Sequence, residues 1–312
     1  MKKEISEYQN IHLIGIGGAS MYAIAAMLKH DGKVVSGSDM QVSHNTEYLE
    51  SIGIPVVIGH DLELVKNSDL VIYTAAISPD DPELVCARDL HIEYVERAEF
   101  LGEYTKQYEN LICISGTHGK STTTGMLSLI FLEAGLNPTI QVGAIMPEIN
   151  GNTHLGNHDY FVMEACEYVD SFLNFNPKIA IVLNIEEDHL DFFKDINDIR
   201  NSFGRYVRLL PGNGLLVINN DIDNVEEIYK NAACPVITVG KTPDADYTAD
   251  NISFDEFGCP SYDLIRQGNT IGRIALSVPG IHNVYNSLAA IAVAIHLGID
   301  ISTIIDSLKG FH

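Results

Sequence analysis

Short apolar runs alternate with segments of helical periodicity through the first third of the chain. Residues 11–16, 34–35, 54–58, 70–74 and 92–95 read as strands, and 19–28, 47–51, 61–65, 82–89 and 97–104 as helices. Regular alternation of this kind predicts a parallel sheet with helices over both faces. A polar stretch follows, and the pattern then resumes with an apolar run at 111–115, a turn, and a helix to about residue 133. Strands are predicted at 139–142, 160–163, 179–183 and 214–219, a Gly/Asn-rich loop at 151–157, and a helix at 196–210. Residues 236–277 hold several strand-like pieces separated by Gly, Asp and Asn, which reads as an antiparallel edge or flap and not as further βα units. An alanine-rich helix over 284–297 and a short helix over 301–308 complete the pattern. The expected fold class is α/β: a Rossmann-like parallel-sheet domain over 1–105, then a phosphate-loop ATPase-like α/β domain with an additional antiparallel edge over 106–312.

Composition narrows the function classes. The 312 residues carry a formal charge of −23, and both halves are acidic, so non-specific nucleic-acid binding is not expected. A phosphate-bearing ligand would have to be held by local backbone dipoles, a lysine and metal ions against that field. Five cysteines without paired short spacing indicate neither a disulfide framework nor a thiolate zinc site, and point to a reducing, cytoplasmic compartment. The polar N-terminus is unlike a signal peptide, and no stretch approaches the length of a membrane span.

The strongest chemical signal is Gly116-Thr117-His118-Gly119-Lys120-Ser121, set between an apolar strand and a helix. In that setting backbone amides and a helix N-terminus converge on phosphate oxygens, a lysine neutralises the outer phosphates, and a hydroxyl reaches Mg²⁺. An earlier turn, Gly15-Ile16-Gly17-Gly18, is followed about 20 positions on by Ser38-Asp39, a near-match to the dinucleotide fingerprint whose third glycine falls at Ala19 or Ser20. His12 lies inside the strand before it, either as a core histidine or as one aimed at a phosphate site.

Two further strands end in polar residues, at Glu164-Ala165-Cys166-Glu167 and at Asn184-Ile185-Glu186-Glu187-Asp188-His189. The ends of parallel strands are where open α/β sheets bind ligands, and Mg²⁺ commonly takes one or two carboxylates plus substrate phosphates. Glu164 is the stronger candidate ligand. Glu167 reads equally as a solvated residue at a helix start, and Asp188 equally as the cap of a helix beginning at His189 or Leu190. His282, Asn283 and Asn286 open the alanine-rich helix, with Asn283 either its N-cap or, with Asn286, an amide pair for a purine edge. Cys166 has no nearby histidine in sequence to activate it.

These stretches, with Ala75-Ala76-Ile77-Ser78, Arg97-Ala98-Glu99 and His282-Asn283-Val284-Tyr285-Asn286, resemble in order the ATP-dependent muramyl ligases of bacterial cell-wall synthesis. The resemblance implies a UDP-sugar-binding first domain, with His12, Gly15, Gly17, Gly18, Ser38, Asp39 and Ser78 near the substrate. It implies an ATP site formed by Gly116 to Thr122 together with His282, Asn283 and Asn286. Lys120, Glu164, His189 and Asn184 take the positions of catalytic residues, and Ser121, Glu164 and His189 those of metal ligands.

The implied reaction joins UDP-N-acetylmuramate to L-alanine through an acyl phosphate, using ATP and two Mg²⁺ ions, for which Mn²⁺ substitutes. Ligation of a peptide to UDP-N-acetylmuramate in cell-wall recycling, and a non-catalytic nucleotide-binding regulatory role, are the alternatives. Cys166 and Tyr168 stand where the alanine-adding members typically carry aspartate and serine. The family's third, amino-acid-binding domain is not in this chain, so the expectation is a piece that binds nucleotides and turns over poorly alone.

Overall fold

The computed structural model describes Met1 and residues 3–312, which divide into two units, Met1–Lys106 and Gln107–His312. In the first, β1 (Asn10–Ile14), α1 (Ala19–His30), β2 (Val34–Asp39), α2 (His44–Ser51) and β3 (Val56–Ile58) are followed by α3 (Leu62–Lys66), β4 (Leu70–Tyr73), α4 (Pro82–Asp89), β5 (Glu93–Glu96) and α5 (Arg97–Tyr104). The sheet order is β3-β2-β1-β4-β5, and every pairing is parallel. Strand order reverses at β1, which opens a crevice beyond its C-terminal end.

Local signals place these elements. Ser43 Oγ accepts from the Thr46 amide to start α2, Asp61 caps α3, and Asp81 caps α4 with Pro82 at the first helical position. Buried Leu13, Ile14, Val71, Ile72 and Leu70 give β1 and β4 the near-continuous apolar character of strands covered on both faces.

The second unit contains β6 (Asn110–Ser115), α6 (Lys120–Glu133), β7 (Thr139–Met146), β8 (Gly151–His154), β9 (Tyr160–Glu164), β10 (Ile179–Val182), α7 (Ile196–Val207) and β11 (Leu215–Asn219). It continues with α8 (Val225–Tyr229), β12 (Val236–Val239), β13 (Tyr247–Phe254), β14 (Pro260–Arg266), β15 (Asn269–Ala275), α9 (His282–His296) and α10 (Ile301–Gly310). Ten strands run in the order β15-β14-β13-β12-β11-β10-β6-β9-β7-β8, with a parallel centre and antiparallel pairs at both edges. The expected α/β class with an antiparallel edge is therefore observed.

Two details differ from expectation. The Gly/Asn-rich segment at 151–157 contributes a strand, β8, pairing antiparallel with β7. The loop after β10 does not begin a helix at His189, whose φ of 53° is left-handed; Asp188 Oδ1 instead accepts the His189 amide at 2.7 Å.

The core of the second unit joins the sheet to α6, α9 and α10. Leu288, Ala289, Ile291, Ala292 and Val293 of α9 are fully buried, and small residues let that helix lie close to α6. Among the described residues, no helix is long and apolar enough to cross a membrane.

Candidate functional site

β6 delivers the chain into the turn between Gly116 and Gly119, whose φ values are 136° and 85°. Both positions need glycine for backbone reasons and for space. A Cβ on Gly116 would meet the Asn184 amide nitrogen at 3.0 Å, and one on Gly119 would meet Asn286 Oδ1 at 2.5 Å. α6 then starts at Lys120 without a side-chain cap, so the positive end of its dipole and its first amides face the turn.

Asn184 braces this turn. Its Oδ1 accepts the His118 amide at 2.8 Å, its Nδ2 donates to the His118 carbonyl at 2.9 Å, and its carbonyl accepts the Thr117 amide at 3.3 Å. Thr117 Oγ1 takes the Glu186 amide at 3.0 Å. The strand-end residues predicted near phosphate are thus tied directly to the phosphate loop.

Lys120 Nζ donates to the carbonyls of Gly116 and Thr117, at 2.5 and 3.1 Å, and lies 3.5 Å from Glu167 Oε2. Glu167 does stand at a helix start, before the 3₁₀ segment Tyr168–Asn174, but it is buried and not solvated, and its Oε1 has no hydrogen-bond partner. An apolar strand ending in two carboxylates was a signal for one ligand; that the second would face the lysine depends on the turn after β9.

Ser121 Oγ and the Glu164 carboxylate converge on Gly143 of β7. Gly143 donates its amide to Glu164 Oε1, and a Cβ at Gly143 would lie 2.9 and 3.1 Å from the two Glu164 oxygens and 3.2 Å from Ser121 Oγ. A carboxylate and a hydroxyl therefore line a cradle that one methyl group would fill, and their all-oxygen chemistry fits Mg²⁺. His189 sits on the loop that also carries Asn184; its Nε2 is 3.8 Å from Asp188 Oδ2, and its ring stacks on Tyr168.

The start of α9 is used differently from the purine-edge expectation. Asn286 Nδ2 donates to Asn283 Oδ1 at 3.0 Å and Asn283 Nδ2 to the Pro279 carbonyl at 2.8 Å, so one bond of each buried amide is made within the protein, and Asn286 packs against Gly119. Nor is Asn283 the N-cap, a position held by Ile281. Thr122, Ser121 and Asn283 line a cavity of about 220 Å³ walled by Val142, Met146 and Phe311, while His282 is exposed.

In the first unit a cavity of about 480 Å³ opens at the glycine turn, bordered by Gly15, Gly17, Gly18, Ser38 and Asp39. Asp39 Oδ2 accepts the Gly17 amide at 2.8 Å, and a Cβ at Gly17 would lie 2.9 Å from the same oxygen. His12 does not border this cavity. It is fully buried, with Nδ1 3.0 Å from Ser36 Oγ and Nε2 3.4 Å from Glu83 Oε1. Ser78 likewise lies outside the lining and accepts the Asp80 amide in the following turn.

Sequence reasoning missed His60, Asp81 and Glu83, whose ligand atoms all lie within 4.8 Å of one another. His60 and Asp81 border the cavity; Glu83 lies beneath it, accepting from Ser38 Oγ and from the Asp61 amide. Burial opposes ionisation of Glu83, but the adjacent His12 imidazole and hydrogen bonds from the Asp61 amide and Ser38 Oγ outweigh it and hold the carboxyl below its ordinary value. Pro82-Glu83 looked only like a helix start, and that signal could not show that the glutamate turns inward. Cys113 on β6 is pushed up to about 12 by burial, which removes it as a nucleophile.

A Rossmann-like unit followed by a phosphate-loop unit, with a carboxylate facing the loop's hydroxyl, defines a nucleotide-using α/β protein. Residues 10–109 match the Mur ligase family, catalytic domain, and residues 114–294 the Mur ligase middle domain; the chain belongs to the Mur ligase family. That family uses ATP and Mg²⁺.

Curated relatives include UDP-N-acetylmuramate–L-alanine ligases of Alkaliphilus metalliredigens, 47% identical over 98% of this chain and 67% of the relative, and of Lachnospira eligens, 49% identical over 97% and 66%. The chain thus spans about two thirds of their length. Among solved structures, the UDP-N-acetylmuramate–alanine ligase of Thermotoga maritima superposes with a TM-score of 0.86 at 29% identity, covering 98% of this chain and 69% of that one. The UDP-N-acetylmuramate:L-alanyl-γ-D-glutamyl-meso-diaminopimelate ligase from Neisseria meningitides gives 0.88 at 30%, covering 97% and 98%.

Proposed function

We propose that this chain carries the nucleotide sites of an ATP-dependent ligase that joins the carboxylate of UDP-N-acetylmuramate to the amino group of L-alanine. The observation that carries the reading is the cradle formed by Ser121 and Glu164 beside the uncapped start of α6. The likeness to the alanine ligases over nearly the whole chain supports the choice of substrates.

A carboxylate is a poor acyl electrophile. Transfer of the γ-phosphoryl group of ATP to its oxygen gives an acyl phosphate and ADP; the amine then attacks the carbonyl carbon, phosphate leaves, and the nitrogen loses a proton. The amides at the start of α6 and Lys120 bind and orient the triphosphate, Asn184 keeps the turn in shape, and Glu167 holds the lysine side chain in place. Ser121, Glu164 and His189 would hold two Mg²⁺ ions, with Mn²⁺ able to replace them. These ions supply Lewis-acid stabilisation of charge on the transferring phosphoryl group. Residues 1–105 bind the UDP-sugar at the glycine-turn cavity, and residues 106–312 bind ATP.

The likeness to the Neisseria ligase, together with Cys166 and Tyr168, favours a second reading in which the acceptor is a peptide. Phosphate release by the protein from the complete reading frame, with ATP, Mg²⁺ and UDP-N-acetylmuramate, separates the two. The primary reading expects the highest kcat/KM with L-alanine over glycine, L-serine and a tripeptide. Turnover with the tripeptide alone would establish the second reading, and no release with any acceptor would overturn both.

A further inference from the structure

The imidazole of His189 has an aromatic cover. The Tyr168 ring lies over it with centroids 4.5 Å apart and planes at 32°. The Tyr168 hydroxyl donates to Asp191 Oδ2 at 2.7 Å, so the ring holds the histidine's own loop two residues further on. The Tyr168 ring is itself backed by Phe192, edge-on to it at 6.3 Å and 78°.

The backbone that presents this ring is strained. Val169 and Asp170 have φ of 48° and 56°, and His189 has 53°. A β-branched residue in the left-handed region is a genuine outlier that persists only where its surroundings over-determine it. Here the restraint is Asp170, whose carboxylate accepts from Ser202 Oγ and, at 2.7 Å, from Arg205 Nη2, both on α7. The Asp170 amide donates to the Glu167 carbonyl at 3.0 Å, closing the turn against the residue that faces Lys120. A helix thus anchors one side of the turn, and the other side presents Tyr168 to His189. A serine at position 168 has no ring to cover the imidazole.

We propose that Tyr168 is a positioning residue of this chain: its ring fixes the orientation of the His189 imidazole and so tunes the metal affinity of the site. This rests on the reading of His189 as a metal ligand. The test is Mn²⁺ binding to the 312-residue protein in the presence of ATP, followed by electron paramagnetic resonance, for the unaltered chain and for Tyr168→Phe, Tyr168→Ser and His189→Ala. Proton spectra record the His189 ring C–H resonances of the same proteins.

Loss of a group that orients a ligand typically weakens metal binding about 10–100-fold. Tyr168→Ser should therefore weaken Mn²⁺ binding about tenfold and move the His189 resonance downfield as the ring current is lost. Tyr168→Phe keeps the stack and should restore both readouts to near the unaltered values. If His189→Ala weakens Mn²⁺ binding and Tyr168→Ser does not, the positioning role is wrong while the His189 reading stands. If His189→Ala leaves Mn²⁺ binding unchanged, the underlying reading falls, and this proposal with it.

Discussion

Lys120 reaches two carbonyl oxygens of its own loop and the buried Glu167, an arrangement that keeps its charge at the mouth of the turn. Removing that charge should lower ATP-dependent phosphate release about 10²–10³-fold in Lys120→Ala, assayed in the protein from the complete reading frame. Unchanged turnover at saturating substrates would take the lysine out of the mechanism. Glu83 gives a prediction of a different kind. Its folded-state carboxyl lies below its ordinary value of 4.5, so its stabilisation is complete above 4.5 and is lost as the pH falls from there through the lower folded-state value. Glu83→Gln should lower the Tm at about pH 7, and the gap to the unaltered protein should narrow by about pH 3.5. An equal gap at both would show that the carboxylate's charge is not what matters. At this scale the phosphate loop was legible because Gly-Lys-Ser between a strand and a helix has a local meaning. The buried partners were not: whether Glu83, Glu167 and His12 face inward depends on which neighbours the fold supplies.

Elements carry the site through close approach. Ser121 on α6 and Glu164 at the end of β9 converge on Gly143 of β7, whose missing side chain leaves room. Its φ is not left-handed, so alanine there strains no backbone and acts only by filling the cradle. Gly143→Ala should therefore fold with a Tm near that of the unaltered chain yet lose at least about tenfold in Mn²⁺ affinity. Retained affinity would place the metal elsewhere. Periodicity made the strands and helices around this point readable, and capping aspartates such as Asp61 and Asp81 sharpened their starts. It failed where tertiary contacts decide. β8 is polar and pairs only because β7 offers an edge, and the turn at Val169 adopts a conformation that local propensity disfavours.

The whole molecule comprises two units with separate sheets, and its formal charge of −23 sets up an acidic field. That field repels an anionic nucleotide while the start of α6 attracts it over a few ångströms. Screening shortens the Debye length from about 30 Å at 0.01 M salt to about 8 Å at 0.15 M, so the long-range repulsion fades first. The association rate of ATP with Mg²⁺, followed by stopped flow, should thus rise over that interval; a steep fall would mean that a long-range positive potential steers binding. In the proposed mechanism, one turn and one cradle hold the triphosphate and its metal. This is tested most directly by a structure of this chain with Mg²⁺ and a non-hydrolysable ATP analogue. The β- and γ-phosphates are expected on the amides of Gly119, Lys120 and Ser121, with metal held by Ser121 Oγ and Glu164. Nucleotide bound elsewhere, with that turn unengaged, would contradict it.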